Sequence, residues 1–246
     1  MDQDTKNQIE ALNSRVKVLE RTPYIDRDLD NVSKNILQQT MANLILDTVW
    51  NNYYYYASTF DTLDRYTTAA AGAAQYINSQ GLVLETLATT NNETSMLLEI
   101  SPDLVSTKRP CRFRVSNMMS ETTLVNWQAN VLENKGHFPE GHSYVGVSME
   151  DGTIYGISTN NEVSVGVTKV ALQTYQANIY YKMELRYFPP NKVDFYVNDV
   201  YKGTITSNLP THQPYYLMDI GIGTKTNATR TSQTSYFDFI QEKQSQ

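Results

Sequence analysis

Carboxylates and histidines are the residues of this chain that could carry catalysis, and their spacing restricts what they can do. Glycoside hydrolysis with retention needs two carboxyl groups about 5–5.5 Å apart on one face. Along a strand an E-x-D-x-E run would supply that alignment, and none occurs. Glu150 and Asp151 are adjacent, so they point to opposite faces or sit in a turn. Asp194 and Asp199 stand on either side of a predicted turn, and Asp61 and Asp64 are separated by Thr-Leu. His137 and His142 lie five apart in a Gly/Pro segment, which is no zinc spacing, and His212 stands alone. Neither a G-x-S-x-G elbow nor a glycine-rich phosphate loop is present. Asp61, Asp64, Glu150 and Asp151 are the loop acids that calcium could use, but they form no D-x-D-x-D-G loop and read as solvated. No enzyme activity, catalytic residue, metal or cofactor is expected, and glycoside hydrolysis is kept as a remote alternative.

Aromatic side chains offer a different chemistry. The chain has 18 tyrosines against 7 phenylalanines and 2 tryptophans. Apolar sugar faces lie on tyrosine rings, and neighbouring Asn, Asp and Thr supply hydrogen bonds. Tyr144, Tyr155 and Tyr201 fall near predicted hairpin turns and are the candidate glycan-binding residues. Each could equally pack across its own sheet.

The element that positions Tyr201 is the stretch NKVDFYVNDVYKGTITSNLP at 191–210. Val193, Phe195 and Val197 alternate with Asp194, Tyr196 and Asn198, a period of two with one apolar face. Asn198-Asp199 supplies turn chemistry, and a second β-favouring run follows over 201–206. A Gly is the usual partner in a tight turn, so Asp199 predicts a three-residue bulged loop. Just before this hairpin, Tyr181, Met183, Leu185 and Tyr187 share one strand face. Strands are also predicted over 82–87, 96–100, 112–116 and 123–127, with turns at 101–103, 109–110 and 117–121. The Ala-rich segment 67–74, the polar segment 133–142 and the Thr-rich segment 221–233 read as loops.

Residues 1–48 read differently. Thr5 and Gln8 fit a capping box for a helix over 5–21, in which Ile9, Leu12, Val16 and Leu19 step 3, 4, 3 as a coiled-coil seam. Pro23 breaks it. A second helix over 26–48 continues with Leu29, Val32 and Ile36 on its seam. This predicts a broken oligomerising or anchoring stalk, with an amphipathic helix packed on the β domain as the alternative. The β-branched and Leu seam by itself favours a dimer.

A formal charge of −6 leaves no basic stripe for a nucleic-acid backbone. No apolar run reaches the ~18 residues that a membrane-spanning helix needs. Cys111 is the single cysteine, so no intrachain disulfide can form, and it reads as a small core residue. The N-terminus is polar and acidic, unlike a secretory signal. Asn31, Asn92 and Asn227 begin N-x-S/T sequons, read as chance matches.

Three stretches carry a resemblance. The hairpin at 191–210, SYVGV and DGTIYG at 143–147 and 151–156, and TSQTSYFDFIQE at 231–242 follow one another in a familiar order. Together they cover roughly residues 140–242 and resemble the concanavalin A-like (laminin G-like) β-sandwich domains of bacterial and archaeal virus structural proteins. The resemblance implies a mainly β fold: an antiparallel concanavalin A-like jelly roll over 49–246, behind the helical coiled-coil stalk of 1–48. It implies a virion structural protein, a capsid decoration, spike or fibre head, displayed on the virion surface and made in the host cytoplasm. Its partners would be other virion proteins, further copies of itself as a trimer rather than a dimer, and a host surface glycan. A purely architectural capsid protein is the alternative.

Overall fold

The computed structural model describes residues 53–58, 60, 67–70, 74–88, 93–99, 105–133, 143–160, 166–214, 216–225 and 229–242. The predicted stalk, with Ile9, Leu12, Val16, Leu19, Leu29, Val32 and Ile36, lies outside them. So do Asp61, Asp64, His137, His142 and the three sequon asparagines.

The described residues form fifteen strands in two antiparallel sheets. In chain order they are β1 (Tyr53–Ser58), β2 (Thr67–Ala70), β3 (Ala74–Asn78), β4 (Gly81–Glu85), β5 (Glu93–Glu99), β6 (Cys111–Met119), β7 (Val125–Glu133) and β8 (Ser143–Glu150). Then come β9 (Thr153–Asn160), β10 (Thr168–Thr174), β11 (Tyr181–Phe188), β12 (Lys192–Val197), β13 (Val200–Ile205), β14 (Tyr216–Thr224) and β15 (Thr231–Glu242). The first sheet runs β13-β12-β11-β6-β15-β4-β3, with β1 pairing the C-terminal half of β15. The second runs β10-β9-β8-β7-β14-β5-β2.

Alternation puts one face of each sheet into a shared core. Met183, Leu185 and Tyr187 of β11 and Val193, Phe195 and Val197 of β12 are buried, as their period of two predicts. Phe113, Val115, Phe237 and Phe239 continue that face. Trp127, Ala129, Val145, Val147, Met149, Ile220 and Ile222 meet them from the second sheet. The sheets touch where Gly156 faces Phe195: a Cβ on that glycine would stand 2.6 Å from the ring. Cys111 sits in this core, where burial pushes its thiol well above the usual range.

Three segments expected to be loops or turns are strands. Residues 67–70 form β2, because the free edge of β5 supplies a partner. Residues 117–119 complete β6: Asn117 is fully buried, accepting from Thr234 Oγ1 at 3.0 Å and lying 3.5 Å from Met149 Sδ. A side chain that reads as a turn former is here held by partners distant in sequence. Residues 221–224 end β14 and are buried between β5 and β7.

The 191–210 hairpin also differs in detail. Its loop has two residues, Asn198 and Asp199, with φ of 50° and 64°, the double left-handed geometry of a type I′ turn. Asn and Asp tolerate it because their short polar side chains bond locally. Asn198 exchanges hydrogen bonds with the Lys182 backbone, and Lys182 Nζ donates to Asp199 at 2.6 Å. The expected bulge lies inside β13, where the register shifts between the Phe195–Gly203 and Tyr196–Tyr201 pairs.

Candidate glycan-binding surface

Tyr201 owes its position to that hairpin. β13 is the edge strand of the first sheet, and Val193, Phe195 and Val197 turn the other residues of β12 away from the core. Tyr196 and Tyr201 are directly paired, with ring centroids 5.7 Å apart and planes at 72°. Tyr201 is 56% exposed. Its hydroxyl lies 3.0 Å from Thr204 Oγ1, and Thr204 in turn donates to Asp194.

Charged groups frame the two rings in ordered pairs. The Arg186 guanidinium lies over the Tyr196 ring, 4.3 Å from its centroid, and donates to Glu184. Lys192 Nζ donates to Asp194 at 2.6 Å. Burial pushes the Asp194 carboxyl up, but hydrogen bonds from Lys192 and Thr204, with the charges of Lys192 and Arg186, outweigh it and hold it below the usual carboxylate range. Its folded-state pKa is therefore below its unfolded one. The group adds stability above an unfolded pKa of about 3.9, and that stability is lost as pH falls through the folded pKa. Asp194→Asn is expected to flatten the acid side of a melting-temperature profile below about pH 4, relative to the unchanged protein.

The three predicted tyrosines are not brought together. Tyr144 and Tyr155 lie on the outward face of the second sheet, on β8 and β9. Tyr144 is buried on a central strand, the arrangement of the packing alternative left open for it. Tyr155 is half-buried and stands opposite Ser148, four residues and about 13 Å along the strand from the level of Tyr144. Lys169 Nζ is 5.8 Å from the Tyr155 ring centroid and donates to both oxygens of Glu150 at 2.7 and 2.8 Å. Ser148 Oγ donates to the same carboxylate at 3.0 Å. This sheet face also carries Asn130, fully buried beside Gly146, whose amide atoms have no hydrogen-bond partner.

Of the acids considered for hydrolysis, the four among the described residues each face a lysine: Glu150 with Lys169, Asp151 with Lys225, Asp194 with Lys192, and Asp199 with Lys182. Glu150 and Asp151 do part, the first on β8 and the second in the β8–β9 turn. Among the described residues no cluster of three His, Cys, Asp or Glu could hold a metal. No described helix is long and apolar enough to cross a membrane.

Strand pairing, which spacing along the chain does not show, is what brings Tyr196, Arg186 and Asp194 beside Tyr201. Their signal in the sequence is the polar half of the β11 and β12 alternation.

No family model and no curated protein matches the chain. Solved structures do. A β-glucanase of Bacillus licheniformis is similar at 11% identity and a TM-score of 0.56, covering 78% of this chain and 98% of its own. A prokaryotic β-1,3-1,4-glucanase (lichenase) from a mouse hindgut metagenome is similar at 8% identity and a TM-score of 0.57, covering 75% and 98%. A carbohydrate esterase of the Shiga toxin-encoding bacteriophage phi24B is similar at 8% identity and a TM-score of 0.50, covering 76% and 96%. At these identities the likeness is one of fold, and the fold of the described residues is a concanavalin-like jelly-roll β-sandwich.

Proposed function

We propose that this chain is a virion structural protein whose sandwich binds a glycan of the host surface, with Tyr201 and Tyr196 as the platform. One observation carries the binding site: an aromatic ring more than half exposed at a sheet edge, backed by a second ring and flanked by hydroxyl, carboxylate and guanidinium groups. Such a ring offers a sugar its flat face, and the flanking groups fix the hydroxyls. The virion setting rests on the resemblance of residues 140–242 to virus structural domains. With it come a trimer, display on the particle surface and assembly in the host cytoplasm. Binding without hydrolysis is favoured by the lysine partners of Asp151 and Asp194, Lys225 and Lys192, which hold both carboxyls below the usual carboxylate range where a general acid must keep its proton.

The test is a glycan array followed by titration of the best ligand against the full chain and Tyr201→Ala. The substitution is expected to weaken binding about tenfold or more, the loss of roughly 1.4 kcal/mol of stacking and contact area. The melting temperature should stay within about 1 °C, because exposed side chains contribute little to folding. A protein that binds no glycan, or a variant that binds equally well, would leave the architectural role as the better reading.

A further inference from the structure

A recess of about 700 Å³ opens at the other side of the first sheet, lined by Phe60, Ile77, Asn78, Ser79, Gln80, Gly81, Tyr180 and Ser235. Its size is that of a small-ligand site. Three elements build it. Ser79 and Gln80 form the turn from β3 to β4. Gly81 presses that turn onto β15: its φ is 123°, and a Cβ there would stand 2.2 Å from the Thr234 carbonyl oxygen. Ser235 is the residue skipped in the β15–β6 register, between Thr234 and Tyr236. Tyr180 enters from the loop before β11.

The lining has a definite chemistry. Ile77 gives an apolar wall over the fully buried Phe60, and apart from Gly81 the rest are hydroxyl and amide side chains with no charged group among them. Asn78 is fixed in place, its Oδ1 accepting from Gln80 N–H at 2.8 Å and Gln233 Nε2 at 2.7 Å. The Tyr180 hydroxyl is withdrawn from water and has no hydrogen-bond partner. A buried hydroxyl in that state is costly, and buried polar groups are normally satisfied. Burial also raises its pKa, so at neutral pH it remains a donor. Phe60 holds a φ of 56°, unusual for a bulky residue, at the wall of the same recess.

We propose that this recess is a second binding site, for an uncharged, hydroxyl-bearing ring such as one or two units of neutral sugar. The ring's apolar face would lie on Ile77, and the Tyr180 hydroxyl would donate to a ring or hydroxyl oxygen. Absence of charged lining selects against sulfated, phosphorylated or sialylated ligands, which would lose hydration without gaining a counter-charge. This site is independent of the Tyr201 platform, which is open and framed by charges.

The full chain is titrated by NMR with the methyl glycosides of glucose, galactose, mannose and N-acetylglucosamine, and with N-acetylneuraminic acid as the charged control. At least one neutral glycoside is expected to saturate, and the acid is not. Tyr180→Phe, which keeps the ring, should weaken that glycoside about tenfold, and Ser79→Trp, which fills the mouth, should remove it. Tyr201→Ala should leave it unchanged. The site is overturned if no neutral glycoside saturates, or if Tyr180→Phe binds like the unchanged protein. It is overturned too if Tyr201→Ala alone abolishes binding, a result under which the platform reading survives.

Discussion

Phe195→Ala is expected to cost about 3–5 kcal/mol of folding stability, a large share of the ~5–15 kcal/mol typical of a domain. Phe195 is fully buried, and its ring spans the gap between the sheets onto Gly156. Truncation loses the transfer energy of the ring and leaves a cavity that two hydrogen-bonded sheets cannot collapse to fill. Gly156→Ala attacks the same contact from the other side. Its Cβ would lie 2.6–2.7 Å from three ring carbons, closer than any relaxed contact, so the ring or strand must shift, at about 1–3 kcal/mol. The two changes should not add. With Phe195 gone the new methyl enters the space left behind, and Gly156→Ala in the Phe195→Ala background should cost close to nothing. Urea unfolding of the two single variants and the double variant reads the coupling directly. Additive costs would mean that the ring and the glycine are not in contact.

Deleting residues 1–48 is expected to convert a trimer into a monomer. The predicted seam of Ile9, Leu12, Val16 and Leu19, and the separate one of Leu29, Val32 and Ile36 that is out of phase with it across Pro23, span few heptads. A helix that short is marginal alone and persists by burying its stripe against copies of itself. Light scattering at several concentrations should give three times the 28.0 kDa chain mass for the full protein and a single copy for a chain starting at Val49. Two monomers would reject the seam as a self-association device and favour helices docked elsewhere. A dimer would keep the seam and reject the copy number that the resemblance implies.

The sequence by itself determined the strands whose pattern is local. In β11 and β12 every second residue is apolar, and a period of two assigns a face without knowledge of what lies opposite. Asn198-Asp199 marked the hairpin because turn preference belongs to those two residues alone. The sequence also marked Tyr144, Tyr155 and Tyr201 in one way, as tyrosines near turns. Tertiary structure separated them: Tyr144 is on the central β8 and buried, Tyr155 is half-buried beside Lys169, and Tyr201 is on the edge strand β13 and open. Periodicity says which way a side chain points, and only the neighbouring strands say whether anything covers it. The same limit hid Asn117, whose partner Thr234 lies 117 residues away, and β2, which is a strand because β5 offers it an edge. It hid the Tyr180 recess too, since that takes a turn, a bulge and a loop from three distant parts of the chain. Local preference is written residue by residue, whereas burial and pairing are set by contacts between segments that meet only in the folded sandwich.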